Sequence, residues 1–118
     1  MQIELKGRNV PVTDELREHV RKRFAKVDRQ VSDSARLEVE LFREQNPSVP
    51  DKERVDATLY LKGVTLRASD NSRDMRHAIH LCEEELSRQV KRHCDKRRRR
   101  REMRHHESFG GEGISATI

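Results

Sequence analysis

The 118-residue chain has room for one small domain, and its composition, 32% hydrophobic against 40% charged, lies near the border with disorder. Its net charge of +5 is uneven: residues 1–71 carry 14 Lys/Arg against 13 Asp/Glu, whereas residues 72–104 carry 12 against 6. A basic flank of this kind meets nucleic acid first and an acidic membrane surface second, and the lack of a signal-like or bilayer-spanning apolar run predicts a cytoplasmic protein with no membrane partner.

Residues 1–8 alternate, with Ile3 and Leu5 on one side and Gln2, Glu4 and Lys6 on the other, which predicts a half-buried strand. After a short connection, Thr13 is a candidate N-cap with Asp14 and Glu15 in the first turn. Leu16, Val20, Phe24, Val27 and Val31 then keep helical spacing, while Lys22, Arg23, Lys26 and Arg29 gather on the other side. The expectation is one helix over residues 13–31. Ala35, Leu37, Val39 and Leu41 predict a second strand, and Asn46-Pro47 and Val49-Pro50 mark a loop because proline restricts the residue before it. Val55, Ala57, Leu59 and Leu61 form a third strand; Lys62-Gly63 suits a tight hairpin into a fourth, through Val64, Leu66 and Ala68.

Asp70, Asn71 or Ser72 is expected to cap the last helix, whose core face is Met75, Ala78, Ile79, Cys82, Leu86 and Val90. Lys96 to Arg101 are six cations in succession, and with no apolar side chain among them they cannot bury a face. If helical from Ser72 to Arg101 the element is about 45 Å long. Apolar periodicity ends before Arg97, so residues 97–118, with their Ser108-Phe109-Gly110-Gly111 stretch, are expected to be a basic, flexible tail on a domain of residues 1–96. Every strand alternates and each helix has a single apolar stripe. The fold class is therefore α+β: a two-layer β-α-β-β-β-α sandwich, a four-stranded sheet with two helices on one face.

Six His/Cys side chains from His80 to His106 are of metal-ligand type, but no Cys-x-x-Cys or His-Glu-x-x-His spacing occurs, and neither a metal nor a cofactor is expected. Cys82 and Cys94 lie on one helix about 18 Å apart, too far to bridge. No phosphate loop or nucleophile elbow is present, so an enzyme is not expected. Three Phe and one Tyr offer no stacking platform for single strands. Contacts to phosphates, recognising shape more than sequence, fit the basic helices better.

In order and spacing, Met1-Gln-Ile-Glu-Leu-Lys-Gly-Arg-Asn-Val10, Thr13-Asp-Glu-Leu-Arg-Glu-His-Val20, Phe24-Ala-Lys-Val27 and Asp56-Ala-Thr-Leu59 are followed by Ala68-Ser69, Asp74-Met75, Ala78-Ile79 and Leu86-Ser-Arg-Gln-Val90. Over residues 1–96 the chain thus resembles the ribosome hibernation factors, variously called hibernation-promoting factor, ribosome-associated inhibitor A or protein Y. That resemblance implies a fold similar to a double-stranded RNA-binding domain. It also implies binding to small-subunit rRNA, and to ribosomal proteins near it, in the decoding region, where the A- and P-site tRNAs and mRNA lie. Translation is then silenced under stress or in stationary phase without any reaction being catalysed. Carried onto this chain, the contacts are Arg17, Lys22, Arg23 and Lys26 on the first helix, with Arg88, Lys91, Arg92 and Lys96 on the last, extended by Arg97, Arg98 and Arg99. Arg76-His77 stands where family members often have an aromatic residue followed by Ala, and the short C-terminal part resembles the type without a ribosome-pairing domain, which implies a monomer. Two other readings are a regulatory protein-binding module of the sigma-54 modulation type, using the strand face around Glu38, Glu40, Asp56 and Tyr60, and a general binder of double-stranded RNA.

Overall fold

The computed structural model describes residues 1–113. Its elements are β1 (Gln2–Arg8), α1 (Asp14–Arg23), a single turn α2 (Ala25–Asp28), β2 (Arg36–Arg43), β3 (Glu53–Leu61), β4 (Val64–Ser72) and α3 (Met75–Gly113). The four strands lie side by side in chain order, β1 parallel to β2 and the other two pairs antiparallel. The parallel pair follows from the helical crossover through α1 and α2, whereas β3 and β4 meet through Lys62-Gly63. Gly63 takes φ +80°, and Leu61 faces Val64 across the turn.

Leu37, Val39 and Leu41 of β2, Val55, Ala57 and Leu59 of β3 and Ala68 of β4 point to one side of the sheet, as their alternation requires. There they form one cluster with Val20, Phe24 and Val27 and with Ala78, Ile79, Cys82, Leu86 and Val90 of α3. Each fully buried aliphatic side chain contributes about 1.5–3 kcal/mol, so this cluster is what makes folding possible at such low hydrophobic content. β1 is an edge strand that the helices cover less completely, which leaves Ile3 37% exposed. Beside it the connection Asn9–Val12 folds back over Gly7: a Cβ there would lie 2.4 Å from the Val10 carbonyl oxygen. Asn9 makes the reversal with φ 60°.

Three boundaries differ from the sequence expectation. The helix expected over residues 13–31 is interrupted at Phe24, whose ψ of 4° ends α1, and the helical turn after it stops at Asp28. Phe24 and Val27 are both fully buried in the common core, so tertiary packing overrides uninterrupted helical geometry. Thr13 does cap α1, its hydroxyl accepting from the Leu16 N–H at 3.2 Å. At the last helix the cap lies later than Asp70–Ser72: β4 continues through Ser72, and the Asp74 carbonyl accepts the first helical bond, from Ala78 N–H.

The third difference is the largest. Where a basic tail was expected from Arg97, α3 continues through Gly113. Lys, Arg, Glu and Met are good helix formers, so over residues 96–104 propensity extends a helix already anchored upstream, without an apolar stripe; residues 105–113, with three glycines, have no such propensity to explain them. The end of that expected tail, residues 114–118, lies outside the described residues.

Candidate nucleic-acid interface

The apolar stripe of α3 turns one side of the helix to the sheet, so its remaining positions fall on two flanks and an outer ridge. Lys91 and Arg92 are adjacent in sequence and hence about 100° apart, which sends them to different flanks. On the α2 side, Arg88 and Lys91 join Lys26 around a groove of about 220 Å³, whose other lining residues include Glu83 and Glu84. On the β4 side, Arg92, Lys96 and Arg99 border a larger depression of about 660 Å³, floored by Val64 and Leu66 and flanked by Gln89, His93 and Asp95.

The β4-side depression is the more electropositive of the two. Its one carboxylate, Asp95, turns to Arg98 at 3.4 Å, while Arg92, Lys96 and Arg99 make no ion pair among the described residues. In the α2-side groove, Glu83 accepts from the Ser87 hydroxyl at 3.0 Å and Glu84 pairs with His80 at 2.5 Å, so both carboxylates are already engaged there. Arg23 of α1 reaches His80 as well, and Glu15 pairs with Arg76 at 3.6 Å; these contacts tie α1 to α3. Arg17 and Lys22 are exposed on α1 and border neither depression. The eleven candidate cations therefore do not line one groove between two helices. Six of them border the two depressions, three on each side of α3, while the α1 members and Arg97 and Arg98 border neither.

Sequence periodicity missed Gln89 and His93. Their spacing to Arg92 and Lys96 could have found them, since positions three and four apart share a helix face. Gln89 also donates to the Arg67 carbonyl at 2.7 Å, fastening α3 to the β4 edge beside the depression. Deeper on that side, the Asp70 carboxyl faces Glu85, and one of its oxygens is buried with no hydrogen-bond partner. Burial first, then the neighbouring Glu85, hold Asp70 above the ordinary aspartate range, against the opposing charge of Arg88. Burial likewise pushes the Cys82 thiol up to about 12.

The outer face of the sheet has the opposite character. Glu40 stands directly across from Asp56, a like-charge pair relieved by Arg8 at 3.8 Å from Glu40 and Arg54 at 3.1 Å from Asp56. Arg36 approaches Glu38 at 3.6 Å and lies over the Tyr60 ring at 4.5 Å, and the Tyr60 hydroxyl donates to Glu38 at 3.2 Å. Arg8, Arg36 and Arg54 of this face are thus paired with carboxylates on it, while Lys6 and Arg67 make no ion pair among the described residues. Among the described residues no group of three or more His, Cys, Asp or Glu could hold a metal ion, and no helix is long and apolar enough to cross a membrane.

The model of the Sigma 54 modulation protein / S30EA ribosomal protein family matches residues 3–98. The chain belongs to this family. Within it, the chain is 35% identical over 96 residues to the ribosome hibernation promoting factor of Salmonella typhimurium, covering 81% of this chain and 96% of that one. It is 34% identical over 93 residues to the ribosome hibernation promotion factor of Lactococcus lactis, covering 79% of this chain but 49% of that relative, so it spans about half the relative's length. The crystal structure of the Thermus thermophilus Protein Y N-terminal domain superposes with a TM-score of 0.67 at 31% identity, over 78% of this chain and 98% of that domain. The family fold is thus the α+β arrangement described above, and its matched segment ends well before α3 does.

Proposed function

We propose that the protein is a ribosome hibernation factor that binds small-subunit rRNA in the decoding region, where the tRNAs and mRNA otherwise lie, and so silences translation in stressed or stationary cells. It acts by occupation, without catalysis, in the cytoplasm and as a monomer, with nearby ribosomal proteins as secondary contacts. The reading is carried by one observation: Arg88, Lys91, Arg92, Lys96, Arg97 and Arg99 are exposed and make no ion pair among the described residues, whereas Arg36 and Arg54 on the outer sheet face are paired to carboxylates. Unpaired cations release counterions when they meet phosphate, and that release drives binding to RNA backbones. The names of the Salmonella typhimurium and Lactococcus lactis relatives support the ribosome as the source of that RNA.

In this reading Arg92, Lys96 and Arg99 take the strongest phosphate contacts, with Lys26, Arg88 and Lys91 on the opposite flank and Arg17, Lys22, Arg23, Arg97 and Arg98 as outlying members. A protein-binding role for the face around Glu38, Glu40, Asp56 and Tyr60 is less favoured, because a partner would have to break the pairs that face makes with itself. Sedimentation tests the choice. The protein should travel with vacant small subunits at low salt and leave them steeply as salt rises; a partner retained after nuclease treatment of a lysate, with no travel on small subunits, would overturn the ribosomal reading.

A further inference from the structure

The sheet has two edges, and they differ. At the β4 edge the Gln89 side chain donates to the Arg67 carbonyl at 2.7 Å, so α3 holds part of that edge. β1 forms the other edge, and its residues are exposed except for half-buried Leu5. It runs parallel to β2, and the Gln2 N–H donates to the Ala35 carbonyl at 2.9 Å. In a parallel ladder alternate residues bond to the same neighbour, so Gln2, Glu4, Lys6 and Arg8 turn their backbone groups to β2. Ile3, Leu5 and Gly7 turn theirs outward, each offering an N–H and a carbonyl to one more strand. Ile3 is also the sheet's exposed large apolar side chain, at 37%. Glu4 and Lys6 are exposed and make no ion pair among the described residues; their neighbours on β2, Glu38 and Glu40, pair with Arg36 and Arg8 instead.

We propose that this edge takes β1 of a second copy of the chain, antiparallel and centred on Leu5. In that register Leu5 meets Leu5 and Ile3 meets Gly7 on either side, so every outward N–H and carbonyl is paired. The positions between them carry the charges: Glu4 of each copy lies across from Lys6 of the other, and Gln2 across from Arg8. These are the non-hydrogen-bonded positions, where facing side chains come closest. Sliding one copy by two residues, the smallest step that keeps the outward groups paired, sets Glu4 against Glu4 or Lys6 against Lys6. β1 is thus complementary to itself in one register, which favours a second copy over a strand of another protein. Ile3 is covered in the pair, lying across from Gly7 beside the Val10 and Val12 that fold over it. The twofold arrangement uses both β1 edges and leaves the β4 edges at the far ends of the joined sheet, so growth stops at two. The Arg92, Lys96 and Arg99 flank lies with β4 and stays free. β1 has seven residues. A stable interface uses about 20–30 a side, so the contact is weak: the chain is single at low concentration, as in the proposed function, and pairs as its concentration rises.

The inference stands apart from the ribosomal reading, because its test needs the full chain alone. Sedimentation velocity from about 20 µM to about 1 mM, the range that so small a contact calls for, should show a monomer becoming a dimer and nothing larger. Hydrogen exchange followed by NMR should show the amides of Ile3, Leu5 and Gly7 slowing as concentration rises. Those of Gln2, Glu4, Lys6 and Arg8, bonded to β2 in both states, should not change. Glu4→Lys sets two lysines against each other across the contact and Lys6→Glu sets two glutamates; each should weaken pairing about tenfold. Mixing the two variants should restore it as mixed dimers, since each introduced charge then meets its opposite, and urea midpoints check that both fold. Should either variant lose its fold, the exchange pattern of the wild type decides alone. A wild-type chain that stays single over the whole range would overturn the inference. So would a dimer whose slowed amides lie outside β1, or folded variants that pair as the wild type does or fail to pair when mixed.

Discussion

Replacing Arg88, Lys91 and Arg92 by Gln separates binding from folding. All three are exposed, and the residues that anchor this part of α3 are their neighbours Leu86 and Val90, both fully buried. Removing three cations that each meet one phosphate lowers the log-log slope by about 2–3 units, which at 0.15 M salt is a roughly hundredfold loss, or about 2.7 kcal/mol. Stability should move little, because exposed charges without partners contribute within about 0.5 kcal/mol. Reversal to Glu should abolish association, but Glu at position 88 would add a third carboxylate near Asp70 and Glu85, so the Gln variant gives the cleaner comparison. The assay pairs a salt titration of small-subunit binding with urea unfolding. Unchanged affinity and slope, with the unfolding midpoint also unchanged, would refute the assignment of these side chains to the interface.

Asp70→Asn should stabilise the fold at pH 7. The raised folded-state pKa of Asp70 means that its stabilising proton is fully held below the unfolded value of about 4 and is lost as pH rises through the folded value, so the advantage of Asn appears across that rise and vanishes toward pH 4, as urea midpoints at a series of pH values would measure. At pH 8 a thiol reagent such as DTNB should modify partly buried Cys94 rapidly and Cys82 only after unfolding, since Cys82 is fully buried with its thiol pushed up to about 12; rapid titration of both thiols in the native protein would contradict the packing of α3. Gly7→Ala should cost about 1–3 kcal/mol, because its Cβ would lie 2.4 Å from the Val10 carbonyl oxygen and 2.7 Å from Val12 Cγ2. In a domain of this size each kcal/mol lowers Tm by about 4–8 °C, which calorimetry resolves.

The strands were legible because each has one wet face and one dry one: Val55, Ala57 and Leu59 alternate with Asp56, Thr58 and Tyr60, and the observed burial follows that alternation. The hairpin was legible from Gly63 for a similarly local reason. The break at Phe24 was not, since Leu16, Val20, Phe24, Val27 and Val31 keep helical spacing and only packing in the assembled core shows where the chain must turn. The helix past Arg97 was hidden because no apolar stripe marks it; the Lys, Arg, Glu and Met of residues 96–104 favour helix at the end of an anchored one. At the candidate interface, residue type and exposure could be read from the sequence, but grouping could not. Arg92 with Lys96 and Arg99, apart from Arg88 with Lys91 and Lys26, depends on what flanks α3 on each side, and that is set by strand order and by the placement of α2.

A cryo-electron map of vacant ribosomes mixed with the full chain bears most directly on the account. It should place the Arg92, Lys96 and Arg99 flank of α3 against rRNA phosphates in the decoding region, with the outer sheet face turned away from them. Density that seats the outer sheet face on a ribosomal protein and leaves α3 in solvent, or no density in the decoding region at saturating protein, would contradict it.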